Sequence, residues 1–272
     1  MSSATDRLEF RSGAVRTLWF SVGVATLRAV VLPVATGVAA LIAWEWAVWA
    51  LHIPQVVLPS PSLVVHSVVA NAGLLGAHLV PTAMVTVVGF VLAMLLGTAI
   101  GIAIAASRLA RDMVYPCVLA FQFVPKIALA PLFIVWFGMG LESRFAFSAF
   151  ISFFPIAVAM TSGLEATDRR TLALCRSLNA TPRRVLLHVR IPFAIPFLFA
   201  GMKIAITMAV IGTVVGEFIS SRSGLGYLIL NAASRMQTDL ILAAIVVLCA
   251  VGLVLYGLIE AADQITSRRF RG

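Results

Sequence analysis

Runs of about twenty apolar residues recur along the chain, and no other feature limits its fold so strongly. A helix rises 1.5 Å per residue, so about 20 residues cross a hydrocarbon layer about 30 Å thick. The segments 29–51, 79–106, 114–137, 145–164, 191–215 and 239–262 meet that requirement. Backbone N–H and C=O groups find no water inside lipid, so a spanning chain must be helical or close into a barrel. A barrel would show ten-residue segments of alternating polarity, which this sequence lacks. The expectation is an all-α polytopic membrane protein of about six transmembrane helices. Composition agrees: 61% of the 272 residues are hydrophobic and 11% charged, against about 25% charged in soluble domains, with mean hydropathy +1.04. That leaves room for one membrane domain and no second sizeable soluble one.

Charge placement gives the orientation. Basic residues collect on the cytoplasmic ends of spans. Every arginine except Arg144, Arg222 and Arg235 falls on one set of ends, and Lys126 and Lys203 lie within apolar runs. The reading is a cytoplasmic N-terminal segment 1–28, a membrane domain 29–262 and a cytoplasmic tail 263–272. Residues 165–190 are then inside, and 52–78 and 216–238 outside. The net charge of +9 belongs to this topology. With no aromatic-interleaved basic patch and no zinc-finger spacing, nucleic acid is not an expected partner; the lipid bilayer is. Cys117, Cys175 and Cys249 form no CxxC pair, and His52, His66, His78 and His188 show no metal spacing. Glu45 among Trp44, Trp46 and Trp49 reads as an interfacial belt. Pro61 after Ser60 reads as the start of a short interfacial helix.

The internal segment 165–190 carries the most information. Leu172, Leu174 and Leu178, then Val185, Leu186 and Val189, sit at helical spacing. Two short helices are expected, broken at Asn179-Ala180-Thr181-Pro182. Asn tolerates the left-handed turn that ends a helix. Thr181 can cap the second helix, with Pro182 at its first position. The apolar side of such helices is buried in one of two places, the membrane interface or a groove on a partner.

The segment resembles the coupling loop of permease subunits of bacterial ATP-binding-cassette importers. The family signature is EAA, three residues, Gly, about nine residues, then Ile-x-Leu-Pro. Val189-Arg190-Ile191-Pro192 sets the register, so Ala173-Leu174-Cys175 falls on EAA and Asn179 on the Gly. Further segments resemble the nitrate, sulfonate, taurine and bicarbonate branch: Leu58-Pro59-Ser60-Pro61, the run from Pro125 to Leu132, Trp136-Phe137-Gly138, Phe153-Phe154-Pro155, and Glu217 followed by Ser223–Tyr227, Asn231 and Gln237-Thr238-Asp239. The resemblance covers roughly residues 55–262.

The resemblance implies a machine of several chains. A second copy of the permease, as a homodimer, would complete the pathway. ATPase subunits would bind beneath, and a periplasmic binding protein would deliver a small anion such as a sulfonate, nitrate or taurine. Vitamin precursors and aromatic acids are the alternative cargo. This chain has no GxxxxGK[ST] loop for phosphates, so ATP and Mg²⁺ are expected on the ATPase, and no cofactor or covalent chemistry is expected here. Coupling to the ATPase falls to Ala173, Leu174, Cys175, Arg176, Asn179, Ala180, Pro182 and Arg183. An ion-coupled secondary transporter is the competing reading. It would need intramembrane carboxylates, and only Glu45, Glu217 and Glu260 come near span ends.

Several residues carry two readings each. Lys203, expected near the midplane, is either an anion-attracting group or a structural partner of a carboxylate or of carbonyls. Gln122 and Lys126 flank Pro125 in a proline-broken span, which lines a pathway or merely kinks. Phe153 and Phe154 narrow the pathway or pack the core. Glu217, Arg222, Gly224, Gly226 and Tyr227 form an external gate or binding-protein contact, or a solvated re-entry loop.

Overall fold

The computed structural model describes residues 31–271. The expected segment 1–28 and the first two residues of the first span lie outside the described residues. The elements are α1 (Val31–Ala50), α2 (Pro61–Ala70), α3 (Ala72–Ala106), α4 (Arg108–Gln122), α5 (Ala130–Phe137), α6 (Leu141–Glu165), α7 (Arg169–Ser177), α8 (Pro182–Val185), α9 (Ile191–Ser220), α10 (Leu225–Ser234) and α11 (Thr238–Arg271). No strand occurs among the described residues. The chain divides into two compact units, 1–65 and 66–272.

In the first unit, α1 is followed by a turn through His52, whose φ is 51°. The Ser60 hydroxyl accepts the Leu63 N–H at the start of α2, and Pro61 occupies the first helical position, as the Ser-Pro pair predicts. Glu45 does more than sit in a belt. Its carboxylate accepts the Ser62 N–H at 3.0 Å and the Ser62 hydroxyl at 2.8 Å. An anion there meets the positive end of a helix.

The second unit is built on close approach of helices at glycine. A Cβ on Gly97 would come within 2.7 Å of the Phe153 carbonyl oxygen, and one on Gly101 within 2.7 Å of the Met160 Cβ. These two glycines are four apart on α3, as are Gly212 and Gly216 on α9, which abut Ser148 and Arg144 of α6. Lipid supplies no hydrophobic drive between helices, so small residues at four-residue spacing hold them by van der Waals contact. The order of the contacts gives direction. Gly89 meets Ser148 and Gly101 meets Met160, so α3 and α6 run parallel. Gly163 meets Ala194 and Gly216 meets Arg144, so α6 and α9 run antiparallel.

This parallel pairing settles the third span. Among the described residues, five helices are long and apolar enough to cross a membrane, and 114–137 is not among them. Instead α4 ends at Gln122, a 3₁₀ turn covers Lys126–Leu129, and α5 follows. Pro125 lacks a donor and disfavours helical geometry at the residue before it, and Pro131 lies in the first turn of α5. Because α3 and α6 point the same way, the chain between them must return along the bundle, so these pieces together make that crossing. Other spans are longer than expected: α8, a π-helical turn at Leu186–Arg190 and α9 form one 39-residue helical stretch. α11 continues through the segment read as a tail.

Candidate functional site

Three clusters lie along the second unit. At the arginine-rich end, Asp168 caps α7 by accepting the Arg170 N–H. α7 ends in a Schellman turn. Asn179 has φ 53°, the Asn179 N–H reaches the Arg176 carbonyl and the Ala180 N–H reaches the Cys175 carbonyl, both at 3.0 Å. These are the two bonds that define the motif. Thr181 accepts the Arg184 N–H, and Pro182 opens α8. Helix, break and helix therefore fall where local chemistry put them. Ala173, Leu174, Cys175, Arg176, Asn179, Ala180, Pro182 and Arg183 come together on one short hairpin. Leu174 and Leu178 are 61% and 72% exposed, an apolar face with no covering helix among the described residues. Glu165, close before this hairpin, pairs with Arg111 at 2.9 Å.

Midway along the bundle, Lys126 lies over the Phe154 ring, 5.2 Å from its centroid. Both line an open cavity of about 430 Å³, with Pro155, Phe197, Gly201 and Met208. The broken span thus delivers a cation to an aromatic wall. Phe153 lies against Phe154, the rings tilted with centroids 3.9 Å apart, but packs into the core with Phe90 and Ile156. The Gln122 side chain lies outside the described residues.

Lys203 does not join this cavity. Its Nζ lies 2.6 Å from both Glu260 and Asp263 of α11. Those acids directly follow the apolar stretch of α11, which closes at Ile259, so Lys203 is level with the polar end of that helix rather than at a midplane. The sequence concealed this because Asp263 was read as part of a tail.

At the opposite end, Glu217 is 1% exposed. One carboxylate oxygen accepts the Gly226 N–H at 2.7 Å, and the other accepts the Thr82 hydroxyl at 2.8 Å. Thr82 in turn accepts the Leu225 N–H, and His78 accepts the Gly224 N–H. Together they tie the first turn of α10 to α3 and α9. Gly224 has φ 109°, and a Cβ there would strike the Glu217 carboxylate, so only glycine fits. Tyr227 stacks on His78 with centroids 5.9 Å apart. Arg222 is exposed and stands apart from these bonds. Sequence reading missed His78, Thr82 and Arg144. Arg144 is only 7% exposed and donates to the Ser221 hydroxyl at 2.8 Å. Thr86, Thr213 and Ser148 continue the polar seam between α3, α6 and α9. A signal was present in Thr82 and Thr86, one turn apart on the same face.

Residues 93–271 match the family described as binding-protein-dependent transport system inner membrane component. The chain is 36% identical to a probable ABC transporter permease of Haemophilus influenzae, over 79% of this chain and 88% of that one. It is 35% identical to a riboflavin transport system permease of Chloroflexus aurantiacus, over 84% and 86%. It is 28% identical to the taurine transport system permease of Escherichia coli, over 84% and 86%. Among solved structures, a chain of the MetNI methionine ABC transporter matches with TM-score 0.59 at 21% identity, over 78% of this chain and 98% of that one.

Proposed function

This chain belongs to the family of binding-protein-dependent transport system inner membrane components and is the permease subunit of an ABC importer, and from that premise we propose how its three clusters divide the work. The α7–α8 hairpin receives an ATPase subunit that carries ATP and Mg²⁺. The cavity under Lys126 and Phe154 forms part of the translocation pathway, closed by a second copy of the chain. The end at Glu217 and α10 meets a periplasmic binding protein. The exposed Leu174 and Leu178 of the α7 turn carry this reading, since no helix covers them among the described residues. Both termini and the hairpin face the cytoplasm, in keeping with the arginine bias. Cysteine introduced at position 180, on a background free of the native cysteines, should label with an impermeant reagent only after the membrane is opened; labelling in intact cells would reverse the orientation.

The proposed cargo is a small organic anion of the sulfonate or taurine kind. Lys126 supports this, because a lysine over an aromatic face presents a cation within a partly apolar cavity. Lys126→Met should lower uptake about tenfold, in line with the loss of one charge-assisted contact of ~1.5 kcal/mol, while ATPase binding is unchanged. Undiminished uptake would remove Lys126 from the pathway. A second reading, an aromatic heterocycle, is favoured by the riboflavin permease relative and by the Phe154–Phe197 wall. Competition of labelled uptake by taurine or by riboflavin separates the two.

A further inference from the structure

A second cavity at the arginine-rich end shares Arg169, Leu172 and Arg176 with the coupling hairpin, but the reading above gives the cavity itself no occupant. It measures about 630 Å³ and is lined by Ser107, Arg111, Glu165, Arg169, Arg176 and Arg190, with Ile104, Ala105 and Leu172. Arg111 is paired with Glu165. No carboxylate lies within ion-pair distance of Arg169, Arg176 or Arg190 among the described residues. The Arg190 Nε is buried and has no hydrogen-bond partner. A buried donor left unpaired is costly and calls for a partner. Three uncompensated arginines around one polar cavity call for an anion with several acceptor oxygens.

An adjoining cavity of about 400 Å³ shares Leu172, Arg176 and Arg190 with the first. Its remaining wall is Ala106, Ala180, Pro182, Val185 and Leu186, apolar apart from Arg183. A cationic compartment therefore opens beside an apolar one, at the depth where the apolar run of α3 gives way to Ser107. That pairing fits a phosphate head with a hydrocarbon chain better than it fits a free anion. Basic pockets between spans on the cytoplasmic side hold anionic headgroups. We propose that this double cavity binds a phosphate-bearing anion supplied by an anionic membrane lipid. The phosphate sits among Arg169, Arg176 and Arg190, the chain lies against Val185 and Leu186, and the lipid braces the coupling hairpin on the bundle.

The test uses the permease–ATPase complex in nanodiscs of phosphatidylcholine, into which phosphatidylglycerol is titrated, with retained lipid counted by native mass spectrometry. Wild type should keep phosphatidylglycerol in preference to phosphatidylcholine. Arg169→Gln with Arg190→Gln should weaken that preference about 25-fold, at about fivefold for each arginine near the membrane surface. Ala106→Trp fills the apolar compartment, leaves the arginines in place and should also lower retention. It carries the test if the double variant fails to assemble. Millimolar inorganic phosphate should not displace the lipid. Wild-type retention in both variants would overturn the site. Displacement by inorganic phosphate would overturn the lipid as its occupant. Loss of the ATPase from the double variant in phosphatidylcholine alone, with lipid retention unchanged, would assign the cavity to the ATPase instead.

Discussion

Exchanging Leu174 and Leu178 together for aspartate is expected to strip the ATPase from the purified permease while the bundle stays folded. Both side chains are more than half exposed in the isolated chain, so the permease loses little by the change. On docking each would be buried, and a fully buried leucine contributes about 1.5–3 kcal/mol. Losing two removes ~3–6 kcal/mol, more than 100-fold in affinity, and the new carboxylates add a desolvation cost. Ala173→Glu and Ala180→Glu act in the same direction. The turn itself gives a control. Asn179→Gly should keep the ATPase bound, because glycine adopts positive φ freely. Asn179→Val should weaken binding, since a β-branched residue resists φ 53°. Co-purification and binding-protein-stimulated hydrolysis are the readouts, with thermal unfolding of the permease alone as the folding check. Retention of the ATPase by the double aspartate variant would place docking elsewhere.

Glu217→Leu should be the most damaging change at the opposite end. It removes the acceptor of the buried Gly226 N–H, leaves the Thr82 hydroxyl only the His78 carbonyl to donate to, and takes away the anion whose charge faces Arg144. Each buried polar group left unpaired costs about 1–3 kcal/mol, so a loss of ~2–4 kcal/mol is expected. α10 should be released from α9 before the rest of the bundle unfolds. Glu217→Gln should retain most of the stability. Its amide oxygen can accept from Gly226, and its NH₂ can donate to Thr82, which still has the His78 carbonyl as acceptor. Thermal unfolding in detergent and proteolysis at 221–224 measure the two effects. A leucine variant as stable as wild type would show that the Glu217 bonds do not hold α10.

Features whose physics is local could be read directly from the residues. Twenty apolar residues unbroken by a helix-stopping proline make a membrane helix whatever surrounds them, so most spans were legible. The α7 turn was legible for the same reason. A residue that tolerates positive φ, a Thr cap and a Pro at the first helical position act within a few bonds of one another, and the break fell at Asn179. Tertiary structure decided whatever depends on a partner distant in sequence. Lys203 was a cation in an apolar run until α11, continuing past 262, brought Asp263 within 2.6 Å. Glu217 read as a charge at a span end, and folding buried it against Thr82, 135 residues away. Arg144 read as a topological charge, yet contact with Gly216 buries it. The third span was expected as one helix and became broken pieces. Its status as a crossing follows only from the parallel packing of α3 and α6, which the glycines at 97 and 101 permit. Hydropathy measures how each segment prefers lipid over water. It carries no information on which polar group meets which, because that is fixed by helix direction and rotation, set by close packing at small residues.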